Sequence, residues 1–247
     1  MSPINIISIQ TLIKKSMTVI KLGLGGIILL AALLLWFSPA CSAIITESFI
    51  NNNYNHNLWD LQNYGTGVTS QITNNRLEVT VAGVGNTNFR GYGFTLTGDF
   101  DMKADFTLIN WPTNCSTQVY MGTNANSQSH FQIARANGNG QEQYFSNILS
   151  NYQRYAVTGP TLGGKLRMRR TGNKMEGFYW DGANWQPIGS ATDASLGGAV
   201  GVMLGISPYG NSYSGTPSKA AFSNIQIYYP TGGKGGFVPA IMMLMDN

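Results

Sequence analysis

The stretch KLRMRRTGNKMEGFYWDGANW, residues 165–185, predicts a β-hairpin. Two short runs alternate charged and apolar residues around a Thr-Gly-Asn turn, which is typical of two antiparallel strands. If Gly172-Asn173 is a two-residue turn, Thr171 pairs with Lys174, and this fixes the register of the pairs above it. One face of the hairpin then presents a credible core, made of Leu166, Met168, Met175, Gly177 and Tyr179.

The opposite face of the hairpin mixes charged and aromatic side chains. Its predicted cross-strand pairs are Arg169 with Glu176, Arg167 with Phe178 and Lys165 with Trp180. Ion pairs and cation–π contacts explain such a face structurally, at about 0.2 to 1 kcal/mol per pair. The functional alternative is a ligand site, in which Phe178 and Trp180 stack on the apolar face of a sugar while Arg167 and Glu176 bind its hydroxyl groups.

The same alternation recurs along most of the chain. It is visible in RLEVTVAG, DFDMKADFTLI, HFQIARA, KLRMRR, AVGVMLGI and AFSNIQIYY, and turn formers such as Asn74-Asn75 and Asp181-Gly182 separate these runs. We find no comparable helical pattern in the sequence. Many strands with short turns predict an all-β antiparallel sandwich or barrel, and 43% apolar residues suffice for its core.

Residues 1–43 predict an N-terminal extension and a secretory signal peptide. A lysine precedes an apolar run at 22–37, and small residues follow it, which is the layout of a leader. An uncleaved signal anchor is the alternative, because the run is close to the shortest that spans a bilayer. We therefore expect export of a bacterial type, with the protein secreted, periplasmic or held at the cell surface.

The position of Cys41 distinguishes an ordinary secreted protein from a lipoprotein. Cleavage after Ala43 discards Cys41, whereas cleavage after Ala40 leaves Cys41 first, as in bacterial lipoproteins. A lipid on Cys41 and the signal segment are the membrane contacts that we consider. Cys115 has no obvious partner, so we expect no disulfide framework.

The charge distribution argues against nucleic acid as a partner. The formal net charge is +4, but three lysines lie in the first forty residues, where there is no acid. Removing these three from the 15 basic residues leaves 12 against 11 acidic ones. The remaining chain lacks the basic footprint that phosphate binding needs.

Several segments together resemble a known superfamily. GKLRMRRTGNKMEGFYWDGANWQPIGSAT, AVGVMLGISP and KAAFSNIQI are similar to the second half of bacterial concanavalin A-like lectin/glucanase domains, including laminin-G-like members. ESFINNNYNHNLWDL, NNRLEVTV and GDFDMKADFTL match the first half in order and spacing. The resemblance implies a two-sheet jelly-roll sandwich that binds or cleaves carbohydrate. In a jelly roll, the charged and aromatic face of the hairpin binds ligand only if it belongs to the concave sheet.

We expect this jelly-roll domain to occupy residues 44–230, with no second domain. Residues 231–247 predict a Gly-rich linker, TGGKGG, and a short apolar tail, FVPAIMMLMDN. The tail is too short to cross a membrane, and either an edge strand or an interaction tail explains it.

The acidic residues favour binding over cleavage. Glycosidases need two carboxylates across one bond, and the Glu-x-Asp-x-x-Glu strand motif of the catalytic branch is missing here. The nearest cluster is Asp99, Asp101 and Asp105, whose alternation with core residues indicates a solvated sheet face. An Asp pair there could instead hold calcium. His56 and His130 lack a recognisable catalytic or metal partner.

We therefore expect an exported, non-catalytic, lectin-like domain that binds a glycan, as a surface or matrix component. The candidate ligand-binding residues are Arg167, Glu176, Phe178 and Trp180, with no catalytic or metal residue assigned. Two alternatives remain: a glycoside hydrolase or lyase with an unrecognised site, and a structural adhesion module that binds protein.

Overall fold

The computed structural model describes most of the chain after residue 42. The described ranges are 43–55, 60–64, 67–82, 89–112, 117–124, 130–138, 141–149, 151–156, 161–208, 217–229 and 237–238. The predicted leader with Cys41, as well as His56, Cys115 and most of the tail, lies outside them. All described residues belong to one unit, Ser42–Asn247. Among them, no helix is both long and apolar enough to span a membrane.

The described residues form sixteen strands and two short 3-10 helices, Ile50–Asn52 and Ala194–Leu196. The strands are β1 Ala43–Glu47, β2 Asp60–Tyr64, β3 Val68–Thr73, β4 Arg76–Val81, β5 Phe89–Leu96, β6 Phe100–Asn110, β7 Thr117–Asn124, β8 His130–Gly138, β9 Gln141–Ile148, β10 Asn151–Ala156, β11 Gly163–Thr171, β12 Lys174–Trp180, β13 Trp185–Thr192, β14 Val200–Pro208, β15 Ser218–Tyr229 and β16 Phe237–Val238.

The strands form two antiparallel sheets. The first sheet has the order β13-β12-β11-β6-β15-β4-β3, and β1 also pairs with β15. The second sheet has the order β10-β9-β8-β7-β14-β5-β16, and β2 also pairs with β5. Their apolar faces meet in one core, so the predicted antiparallel sandwich is confirmed.

Strand β6 shows why the sequence forms this sandwich. Its buried residues alternate with outward ones, and the buried set is Phe100, Met102, Ala104, Phe106 and Leu108. Because successive side chains of a strand point to opposite faces, Asp101, Lys103 and Asp105 lie together on the outer face of the first sheet.

The hairpin of β11 and β12 has the predicted register. Thr171 pairs with Lys174, and the pairs above follow as expected, up to Leu166 with Tyr179. Leu166, Met168 and Met175 are buried, which confirms the predicted core face. Beyond this hairpin, β11 pairs with β6 and β12 pairs with β13, so the hairpin's outer face continues onto both neighbours.

Strand β15 is interrupted by a bulge. Its pairing with β6 shifts register between Ser223 and Gln226, and Asn224 adopts a left-handed conformation with φ of 48°. Asparagine tolerates this region better than most residues. The bulge brings Asn224 and Gln226 to the outer face beside Asp105.

The C-terminal tail contributes one short edge strand. Phe237 pairs with Leu96 of β5, and Val238 pairs with Thr95. This agrees with the edge-strand alternative for these two residues, while the rest of the tail lies outside the described ranges.

Candidate functional site

The outer face of the first sheet is indented by two neighbouring cavities. The larger has a volume of about 440 Å³ and the smaller one of about 330 Å³. Both lie over the strands that flank the predicted hairpin, and Lys103 of β6 lines both of them. Their volumes fall within the range of small-ligand sites.

The smaller cavity has two tryptophans in its wall. Trp180 ends β12 and Trp185 begins β13, and the two residues pair directly across the Asp-Gly turn. Their ring centroids are 5.4 Å apart, and their planes are inclined by 66°. Both side chains are only half-buried. An edge-to-face pair holds each ring in place while part of the aromatic surface stays accessible.

Polar groups complete the smaller cavity, whose other lining residues are Lys103, Asp105, Lys165, Asn224 and Gln226. The amide of Asn224 donates to Asp105 Oδ2 at 2.9 Å, and Lys165 Nζ lies 3.2 Å from Asp105 Oδ1. These contacts hold the Asp105 carboxylate, the Asn224 amide and the Lys165 ammonium together in the wall of the cavity. Such a set contains both donors and acceptors for hydroxyl groups.

Arg167 links this cavity to the hairpin. Its Nε and Nη2 donate to the two oxygens of Asp101 at 2.8 and 2.5 Å, which is a bidentate ion pair. The bonds to Asp101 raise the pKa of Arg167 above its ordinary value. The guanidinium also lies over two rings, 5.3 Å from Phe178 and 5.7 Å from Trp185. Arg167 therefore supports Trp185 from outside the cavity.

Glu176 is surrounded by cations. Arg169 donates to its Oε2 and Lys174 donates to its Oε1, at 2.7 and 2.8 Å. The bond from Lys174 and those from Arg169 outweigh burial and hold the pKa of Glu176 below its ordinary value. Arg169 also lies 5.5 Å from the Phe178 ring, so two guanidinium groups contact that ring.

The four predicted site residues thus lie on one face but have different surroundings. Trp180 lines the smaller cavity. Arg167 pairs with Asp101 and lies over the Phe178 ring, whereas Glu176 pairs with Arg169 and Lys174. Whether these three contact a ligand stays a prediction.

The structure adds residues that sequence reasoning did not assign. Trp185, Asn224 and Gln226 belong to the smaller cavity. The Asp181-Gly182 turn was a usable signal, because it places Trp185 directly opposite Trp180. The signal for Asn224 is a break in the alternation of AFSNIQIYY, whose apolar residues shift from even to odd positions between Phe222 and Ile225.

The acidic cluster of β6 and the preceding turn is engaged in separate contacts. Asp99 Oδ1 accepts a bond from the Gly172 amide at 2.6 Å, Asp101 pairs with Arg167, and Asp105 pairs with Lys165. Over the described ranges, no group of three or more His, Cys, Asp or Glu side chains is arranged to hold a metal ion.

Comparison with solved structures identifies the fold. The GH43B protein of the Bacteroides ovatus xyloglucan PUL aligns over 75% of this chain with a TM-score of 0.55 and 12% identity. A prokaryotic β-1,3-1,4-glucanase (lichenase) from a mouse hindgut metagenome aligns over 76% of this chain and 99% of its own, at a TM-score of 0.52 and 14% identity. The chain has the concanavalin A-like lectin/glucanase fold.

A third structure with the concanavalin A-like fold is an immunostimulatory antigen and pseudo β-1,3-glucanase of Mycobacterium tuberculosis. It aligns over 74% of this chain and 97% of its own, with a TM-score of 0.54 and 10% identity. This chain spans only 39% of the length of the Bacteroides ovatus protein. The sequence matches no protein-family model and no curated protein. At these identities the comparisons establish the fold alone.

Proposed function

We propose that this protein is an exported carbohydrate-binding protein that holds a neutral part of a glycan in the smaller cavity and does not cleave it. The observation that carries the proposal is the pair of half-buried rings, Trp180 and Trp185, beside a carboxylate and two amides. An aromatic ring against the C–H face of a sugar, with polar groups at its hydroxyls, satisfies both parts of an amphipathic ligand.

The roles within the site follow from the contacts. Trp180 and Trp185 stack on the sugar, and Asp105, Asn224 and Gln226 bind its hydroxyl groups. Of the residues predicted from the sequence, Arg167, Glu176 and Phe178 form the supporting layer under this proposal. Arg167 connects this supporting layer to the smaller cavity, because it contacts the Trp185 ring and forms an ion pair with Asp101.

The carboxylates favour binding over hydrolysis. A glycosidase acts with two carboxyl groups on either side of one bond, roughly 5 to 10 Å apart. Asp105 is the one carboxylate among the described residues that line the smaller cavity, and Lys165 neutralises it. The lichenase with this fold supports a carbohydrate ligand for this protein. The pseudo β-1,3-glucanase has the same fold, so the fold alone does not imply glucanase activity.

Screening on a glycan array tests the proposal. We expect the purified protein to bind at least one glycan class, and Trp180→Ala/Trp185→Ala to lose that binding. Leu162→Ala is the control, because it removes an exposed apolar side chain that lines neither cavity. If no glycan binds, or if the double variant binds as well as wild type, the proposal fails.

Incubation with soluble β-glucans tests the non-catalytic part of the proposal. We expect no release of reducing sugar, because one neutralised carboxylate cannot supply both the acid and the base. Release that disappears in Asp105→Asn would contradict this and favour a hydrolase.

A further inference from the structure

The larger cavity on this face has an unbalanced charge. It has a volume of about 440 Å³ and is lined by Asp99, Phe100, Asp101, Lys103, Arg169, Arg170, Thr171 and Tyr228. Its lining residues therefore include three cations and two carboxylates, with the Arg170 side chain on the buried side of β11. Two of these groups are already neutralised by partners outside the cavity, since Asp101 pairs with Arg167 and Arg169 pairs with Glu176. Lys103 and Arg170 remain, with Asp99 as the one acidic group left.

Lys103 has no carboxylate partner among the described residues. Its ammonium lies 4.8 Å from the centroid of the Tyr228 ring, which fixes its direction without neutralising it. It lines the larger cavity and the smaller one alike. By contrast, Lys165, Lys174 and Lys219 each form an ion pair on the outer face of the sheet.

Arg170 is a buried cation that forms no ion pair in the described part of the chain. It is only 1% exposed, and its Nε and Nη1 donate to the carbonyl oxygens of Gly98, Leu196 and Gly198. Its Nη2 has no hydrogen-bond partner. Burial lowers the pKa of Arg170 by more than the charge of Asp99 raises it, which means that the charged form of Arg170 is incompletely stabilised. A buried cation in this state favours a nearby anion.

Asp99 offsets the charge of Arg170 only in part, because burial has the larger effect on the pKa of Arg170. No ion pair joins it to Arg170 or Lys103 in the described part of the chain, and its Oδ1 accepts from the Gly172 amide at the hairpin turn. The cavity thus keeps a net positive character next to the tryptophan-lined cavity.

We propose that the larger cavity binds the anionic group of an acidic glycan, a carboxylate or a sulfate ester, while a neighbouring sugar of the same chain stacks on Trp180 and Trp185. This inference rests on the proposed function. Lys103 contacts the anion, because it lies between the two cavities, and Arg170 contributes long-range attraction from below. The ligand class is then an acidic polysaccharide with charged and neutral residues in one chain.

Matched oligosaccharides test this inference. Three sets of equal length are needed, one neutral, one containing uronic acid and one carrying sulfate esters. We expect one acidic set to bind the wild-type protein about tenfold more tightly than the neutral set at low ionic strength, and the preference to shrink as salt screens the charges. The better acidic set identifies the anion as carboxylate or sulfate.

Lys103→Met locates the site. We expect it to remove most of the preference for the acidic set while the affinity for the neutral set stays within about twofold. Lys174→Met is the matched control, since it makes the same charge change on the same face outside both cavities, and it should keep the preference. Arg170 is unsuitable for this test, because its bonds to three carbonyls also hold the fold together.

The outcomes separate the two proposals. Equal affinity for acidic and neutral sets, or a preference that survives Lys103→Met, overturns the acidic site and leaves the carbohydrate-binding proposal standing. Binding of no set by a folded protein overturns both.

Discussion

At the scale of single residues, the outer face of the first sheet divides into side chains held by the protein and side chains left for a ligand. Arg167 belongs to the first group, because its guanidinium group forms an ion pair with Asp101 and lies over the rings of Phe178 and Trp185. Trp180 and Trp185 belong to the second group, because both line a cavity and neither is fully buried.

This division gives a prediction for Arg167→Met. The variant loses a bidentate ion pair and leaves Asp101 half-buried without its partner, so we expect the free energy of unfolding to fall by about 1 to 2 kcal/mol. Denaturant unfolding measures it. Lys165→Met is the control, because Lys165 is 45% exposed and such pairs contribute little, at most about 0.5 kcal/mol. Equal losses in the two variants would show that Arg167 is not a structural support.

The sequence predicted these residues unevenly, for a physical reason. Alternation with period two placed Arg167, Glu176, Phe178 and Trp180 on one face, and the register confirms it for Arg167, Glu176 and Phe178. The same rule fails at Asn224, because a bulge adds a residue and reverses the faces beyond it. The ion pairs between β6 and β11 depend on the order of the strands in the sheet. The alternation of apolar and polar residues does not contain that order.

At the scale of elements, the two sheets approach closely where β12 lies over β8. Gly177 of β12 has no room for a side chain, since a Cβ built there would overlap Ile133 more closely than real atoms permit. The hairpin therefore requires glycine here for reasons of packing rather than of backbone conformation.

We expect Gly177→Ala to reduce the free energy of unfolding by about 1 to 3 kcal/mol, because the new methyl group forces the sheets apart. Gly198→Ala is the matched control, since a Cβ at Gly198 meets nothing within 4 Å. Thermal or denaturant unfolding of the two variants checks this. A Gly177→Ala protein as stable as the control would mean that β12 and β8 are not packed as described.

A buried carboxylate ties β4 to β15. Glu78 is 2% exposed, and its oxygens accept bonds from Arg76 at 2.8 Å and Lys219 at 2.5 Å. Burial alone raises the pKa of Glu78, but the bonds from Lys219 and Arg76 outweigh it and bring the pKa below its ordinary value of 4.5. Because the folded pKa is the lower one, the stability from this cluster is present above about pH 4.5 and is lost as pH falls below it.

Glu78→Gln should therefore destabilise the protein by about 1 to 3 kcal/mol at pH 7, and the difference from wild type should shrink as the pH falls below 4.5 and the wild-type carboxyl takes up a proton. Unfolding free energies of both proteins from pH 3 to 7 give the comparison. A difference between them that stays constant over this range would contradict the ion-pair account.

At the scale of the whole molecule, strand periodicity and turn residues predicted an antiparallel sandwich, and the two observed sheets confirm it. The class follows from the sequence because strands such as β6 and β11 show their buried face as alternation. The location of a ligand site does not follow, because it depends on which outer faces are indented once strands from distant parts of the chain are neighbours. Lys103 and Lys165, for instance, meet Gln226 only through the pairing of β6 with β11 and β15.

Export is a prediction that concerns residues 1–43. We expect the mature protein to begin near Cys41 or Ile44, because small residues follow the apolar run there. Intact-mass analysis of the exported protein identifies the new N-terminus. A mass that exceeds the unmodified chain from Cys41 by the mass of a lipid would identify the lipoprotein alternative. A protein that keeps residues 17–40 would show a signal anchor instead.

The central claim is that Trp180 presents its ring to a sugar rather than to the protein core, and paired measurements of glycan affinity and thermal midpoint on Trp180→Ala test it most directly. Phe178→Ala is the comparison, because that ring is held by Arg167 and Arg169. We predict that Trp180→Ala binds glycan about tenfold more weakly with nearly unchanged stability, whereas Phe178→Ala loses mainly stability. A Trp180→Ala protein that unfolds much more easily, and binds with undiminished affinity where it is folded, would contradict the account.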